Sequence, residues 1–176
     1  MNVYFGTVAR GAPVSQGGSL FKLDWDRKTV VREVPDVPVN PSLYHDPNAR
    51  GNVRGVRGIR ICNDEVYAAN YHTVNVFDRD LNPKRRVTHG LMVGLHETQV
   101  VDSSIWVTST TLDAALRYRL DDGALEESFW PREMPAFQQA LDIEPLAIDK
   151  SIDNRTNFLE RESFRGPSHL HLNAVW

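Results

Sequence analysis

The feature that most constrains this chain is an internal repeat of strand pairs. Around position 60 it reads Ile61-Cys62-Asn63-Asp64-Glu65-Val66-Tyr67-Ala68-Ala69, and about 40 residues later Val100-Val101-Asp102-Ser103-Ser104-Ile105-Trp106-Val107-Thr108. Each copy is a short strand, a polar turn and a second strand in which a β-branched residue stands beside an aromatic one. Both copies run on into a further alternation that ends in an apolar residue and aspartate, at Phe77-Asp78 and at Leu120-Asp121. Several short strands within a period of about 40 residues are the pattern of a β-propeller blade.

The two ends of the sequence fit the same pattern, offset by one strand. Val3-Tyr4-Phe5-Gly6 matches a second strand, and Gly18-Ser19-Leu20-Phe21-Lys22-Leu23-Asp24 matches a third. His171-Leu172-Asn173-Ala174-Val175-Trp176 aligns with His96-Glu97-Thr98-Gln99-Val100-Val101, which opens a blade. The expected fold is all-β, a half propeller of three four-stranded blades in one domain, 1–176. Strands two to four of blade 1 fall at 1–34, blade 2 at 56–90, blade 3 at 95–130, an inter-blade insertion at 131–167 and a closing first strand at 168–176. Pro35 to Gly55, rich in Pro, Asn and Gly, reads as a connecting loop, and Pro135–Leu141 within the insertion has helical composition after a proline start.

Propellers close with about four to eight blades, and open arcs leave unpaired edges. Two arrangements answer this. In one, a homodimer of about six blades closes by exchange of the C-terminal strand. In the other, the sequence is a truncated propeller that lacks its second half.

Composition narrows the partners. A net charge of −3 gives no bias towards nucleic acid or anionic membrane, and no apolar run has transmembrane length. Met1-Asn2-Val3-Tyr4-Phe5 has no charged leader and no apolar signal core, so a cytoplasmic protein is expected. Cys62 is the only cysteine, which excludes an intrachain disulfide and thiolate clusters, and its strand position reads as a buried, inert thiol.

The residues that could carry chemistry lie where first strands begin. Arg57, His96 and His171 are aligned there and should gather at one mouth of the central channel. His169 and His171 are two apart on an expected strand, so both point to one side. With His96 they form a candidate metal site for a divalent ion such as Zn or Mn, the one cofactor the sequence suggests. The plain alternative is that these imidazoles bond between blades and bind nothing. A second group, Arg54, Arg57 and Arg60 among glycines, suits an anionic ligand, because the arginine fork makes two-point contacts with carboxylate or phosphate. Asp46 and Asp64 stand near enough in sequence to pair with these arginines instead. His45, His72 and His89 have no repeat partners and receive no role. No phosphate-binding glycine loop, nucleophile elbow or His-Glu-x-x-His is present.

Over residues 1–130 and 168–176 the chain resembles six-bladed propellers of the NHL and gluconolactonase-like kind. The starts Leu95-His96-Glu97-Thr98 and His169-Leu170-His171-Leu172-Asn173-Ala174-Val175 look like those of a bacterial propeller family without assigned activity. The resemblance implies a channel in which histidines from several blades hold a metal. Gluconolactonase-like enzymes use carboxylate and amide ligands, so lactonase activity is not implied. The expected function is a non-catalytic module that binds a small anionic or carbohydrate-like ligand, or a protein loop, at the mouth. A metal-dependent lyase or hydrolase on an acidic sugar is the alternative, and a split propeller without activity of its own is the second.

Overall fold

In the computed structural model, residues 1–36, 46, 53–157 and 170–175 are described. Among the described residues eleven strands form three antiparallel sheets. The first is β1 (Asn2–Gly6), β2 (Ser19–Asp24) and β3 (Thr29–Pro35), paired in that order. The second is β4 (Gly58–Cys62), β5 (Glu65–Ala69), β6 (Thr73–Asp78) and β7 (Pro83–Thr88). The third is β8 (Leu95–Val101), β9 (Ser104–Ser109), β10 (Ala114–Arg119) and β11 (Leu125–Phe129). Each sheet is a meander of hairpins. The sheets expected from the repeat are present, two with four strands and the first with three among the described residues.

The turns explain the repeat. Asn63 and Asp64, both at positive φ (47° and 60°), join β4 to β5, which suits the right-handed twist of a two-residue hairpin. The aspartate that ends a third strand builds the following turn: Asp78 accepts from the backbone N–H of Asp80 (2.8 Å) and Asn82 (2.9 Å), and Asp24 from Asp26 (3.0 Å). In the third sheet this task falls to Asp122, which accepts from Ala124 N–H at 2.9 Å, and not to Asp121.

Successive sheets pack face to face because side chains alternate along each strand. Leu20, Val66, Ala68, Phe77 and Leu81 fill the space between the first and second sheets. Tyr67, Ala69, Val76, Ile105, Val107 and Leu116 belong to the larger core between the second and third. The backbone approach there is close. A Cβ on Gly58 would stand 2.3 Å from the carbonyl oxygen of His96, so only glycine lets β4 and β8 lie side by side. Cys62 is half-buried and packs against the larger core.

One hydrogen bond recurs where each sheet meets the next. Val56 N–H donates to Thr7 O (3.1 Å) and Leu95 N–H to Tyr71 O (3.0 Å), tying the start of a first strand to the loop after the preceding sheet's second strand. Leu170 N–H repeats this with the Asp113 carboxylate (3.1 Å). Residues 170–175 thus take the seat where a further first strand would begin, yet form no strand within this chain. A first strand needs the second strand of its own blade beside it, and no strand among the described residues stands there.

After β11 the chain forms a 3-10 turn at Pro131–Glu133 and α1 (Pro135–Leu141), then irregular turns. Asn154 N–H donates to Gly90 O (2.8 Å) and Arg155 donates to the Thr88 hydroxyl (2.8 Å), which fixes this segment to the face where the first strands begin. No helix among the described residues is long and apolar enough to cross a membrane.

Candidate functional site

The meander order sends every first strand away from the same face, so Arg57, His96 and His171 gather there. Arg57 is held by its own N–H on Ala69 O (2.8 Å), and its guanidinium carbon stands 5.4 Å from the centre of the Tyr71 ring. Burial works against its charge, and the positive charge of Arg10 works in the same direction. His96 follows on β8. Its ring meets that of His171 edge to face, with centroids 5.0 Å apart. Burial first, then the charges of Arg57, His171 and Arg10, push the His96 imidazole down to about 4, although a hydrogen bond to the Asn173 side chain favours its charged form.

His171 is placed by its backbone. Its φ of 55° is left-handed, and its N–H donates to Asp113 at 2.8 Å. Asp113 is fully buried, itself at positive φ (52°), and its second oxygen accepts from Leu170 N–H (3.1 Å) and faces Arg132 at 3.5 Å. Arg132 in turn donates through Nε to Glu144 O at 2.8 Å.

The other expected site residues go elsewhere. Arg54 is buried behind the β1–β2 loop, donating to Ala12 O (2.7 Å), Val53 O (2.8 Å) and Asp46 (3.1 Å), so it anchors backbone. Arg60 lies further down β4, opposite Tyr67, and away from the strand starts. Asp64 pairs with Arg79 (3.4 Å). His169 lies outside the described residues. Among the described residues no group of three or more His, Cys, Asp or Glu side chains converges on a point that could hold a metal.

Sequence reasoning missed Arg10 and Asp113. Arg10 sits in a hairpin loop with no repeat partner, and Asp113 looked like one more turn residue. The one available signal for Asp113 was its place between β9 and β10, where the preceding sheet carries Asn70. Asn70 also organises its turn, accepting from the N–H groups of His72 (3.0 Å) and Thr73 (2.8 Å) while donating to Asp36 (2.9 Å).

No protein-family model matches the chain, and no curated protein matches it. Among solved structures it is similar to the WD40 domain of Pan2 from Neurospora crassa, at 14% identity with a TM-score of 0.52, over 73% of this chain and 34% of that one. The fold is that of a β-propeller. The chain spans about a third of the length of the Pan2 domain. It is also similar to a europium-containing methanol dehydrogenase, at 14% identity with a TM-score of 0.48, over 73% of this chain and 23% of that one. The propeller assignment rests on the Pan2 match together with the three sheets. The Pan2 match and the sheets support a partial propeller and do not support the NHL or gluconolactonase-like type expected above.

Proposed function

We propose that this propeller binds a small anionic ligand at the mouth formed by Arg57, His96, His171 and Arg10, without catalysing a reaction. One observation carries the reading. Arg57 and His96 stand together at the strand starts, and burial and the charge of Arg10 disfavour the charged form of each, with Tyr71, Asp36 and Asp46 opposing at Arg57, so an anion seated between them favours both cations. The arginine fork supplies two-point recognition of carboxylate or phosphate, and a carbohydrate acid or an acidic protein loop presents the same group. A thermal-shift panel of phosphate, sulfate, citrate and a sugar acid tests it. At least one anion raises the melting temperature of the wild type, and Arg57→Gln removes the rise. A flat response across the panel counts against the reading.

The His96–His171 contact favours a second reading, a metal-dependent lyase or hydrolase on an acidic sugar. A catalytic zinc takes three protein ligands, of which this pair supplies two. Zn or Mn would then raise the melting temperature, and the effect would vanish in His96→Ala/His171→Ala.

We also infer that a second copy completes the ring. Residues 170–175 hold the seat of a further first strand, and among the described residues β1 pairs only with β2. The face of the first sheet turned away from the second carries the Phe5–Phe21 stack, centroids 4.9 Å apart, with Phe5 exposed. Light scattering tests this. Twice the 20.0 kDa chain mass supports it and a single chain mass contradicts it.

A further inference from the structure

A recess lies between the first and second sheets, with Val56 and Asp36 at one end and the outer strands β3 and β7 along its sides. It encloses about 500 Å³, within the range of ligand pockets. Leu20 and Val34 line it from one wall, and Ala68, Phe77 and Leu81 from the other. The strand register carries two arginines to its lips. Arg32 pairs with Lys22 on the face of the first sheet that holds Leu20, and Arg86 pairs with Asn75 on the opposing face of the second. Both arginines line the recess, both are exposed, and among the described residues neither makes an ion pair or a side-chain hydrogen bond.

The neighbouring cations are already answered. Lys22 pairs with Asp80 at 2.6 Å, and Lys84 and Arg85 pair with Glu65. Asp36, the carboxylate among the lining residues, is engaged by the Asn70 amide at 2.9 Å. What remains is an apolar trough with an unanswered guanidinium on each wall.

We propose that this recess docks an extended peptide of a partner protein in which leucine-like residues alternate with aspartate or glutamate. An extended chain sends alternate side chains to opposite sides, so apolar residues reach the floor while acidic neighbours stay at the lips. There Arg32 and Arg86 each take a carboxylate through the guanidinium fork. A fatty acid fits the trough less well, because its single headgroup leaves one arginine unanswered.

The test is fluorescence anisotropy of the full chain with a short labelled peptide alternating leucine and aspartate. A leucine–asparagine peptide and decanoate serve as comparisons. The aspartate peptide saturates the protein below about 1 mM, and its dissociation constant rises at least about tenfold in Arg32→Glu and in Arg86→Glu. The asparagine peptide binds at least about tenfold more weakly, added salt weakens the aspartate peptide, and Arg119→Gln on the third sheet leaves its binding unchanged. Should either charge reversal fail to fold, Arg32→Gln and Arg86→Gln with the salt series give the same reading. Equal binding of the asparagine peptide, indifference to salt or to the arginine variants, preference for decanoate, or no saturation by about 1 mM overturns the proposal.

Discussion

The rings of His96 and His171 meet edge to face, centroids 5.0 Å apart and planes at 85°, and so join residues 170–175 to the start of β8. The contact depends on Asp113, whose buried carboxylate accepts the N–H groups of both Leu170 and His171. The mouth is therefore assembled by a side chain from the loop between β9 and β10.

Asp113→Asn keeps a residue that tolerates positive φ but weakens both acceptor contacts and leaves Arg132 without its acid. Amide exchange at Leu170 and His171 should accelerate at least about tenfold, while β8 and β9 stay protected. Global stability should fall by about 3 kcal/mol, because a buried cation loses the carboxylate among its partners. Hydrogen exchange read by mass spectrometry checks both.

Gly58→Ala places a methyl group where the His96 carbonyl stands, 2.3 Å away. Backbone offers no rotamer escape, so β4 and β8 must separate. Destabilisation of about 2–3 kcal/mol is expected in urea unfolding, together with exposure of His96 seen as a rise in its pKa.

His72 is fully buried, its Nδ1 stands 2.8 Å from the Thr73 hydroxyl, and burial followed by the charge of Arg155 pushes its imidazole down to about 4, with Asp153 opposing. The unfolded chain then binds the proton more readily than the folded one. Stability from this group is complete above the ordinary histidine pKa of about 6.5 and is lost as pH falls from there towards 4. The loss reaches about 3 kcal/mol, at about 1.4 kcal/mol per pH unit between the two pKa values. Denaturant titrations between pH 7 and 4 should show a shallower decline in His72→Gln than in the wild type. Parallel declines would refute the assignment.

Glu65 organises the edge of the second sheet, accepting from the Tyr67 hydroxyl (2.6 Å), from both terminal nitrogens of Arg85 (2.9 and 2.7 Å) and from Lys84. Arg85 first, helped by Lys84 and Tyr67, holds its carboxyl down at about 2, and burial, then the contact with Glu65, pushes Tyr67 up to about 12. Glu65 stabilises the fold above the ordinary carboxylate range, and that contribution is lost as pH falls from there towards 2. Glu65→Gln should cost about 2 kcal/mol at neutral pH and bring the tyrosine titration back towards 10 in ultraviolet absorbance.

The sheets were legible because hairpin periodicity and turn residues are local. Asn63-Asp64 and the aspartates ending third strands announce themselves by spacing, and Pro135 starts α1 as its position suggests. The alignment of Arg57, His96 and His171 followed from the same periodicity, because equivalent positions in a repeat share a face. Side-chain commitments were not legible. Arg54 reads like Arg57 in sequence, yet the β1–β2 loop folds over it and takes its donors through Ala12 O. Arg10 reaches the mouth only because that loop folds back, a long-range event that leaves no periodic trace. The recess was equally hidden, since an unpaired Arg32 is known only once every acid near it has found another partner.

The central claim is that Arg57 and His96 share an anion site, and the pKa of His96 reports on it most directly. It is measured by NMR titration of the imidazole in wild type and Arg57→Gln, with and without phosphate. The account predicts a value near 4 without anion, a clear rise when phosphate binds, and no phosphate-dependent rise in Arg57→Gln. A His96 pKa that phosphate leaves unchanged in the wild type, or that moves equally in the variant, contradicts it.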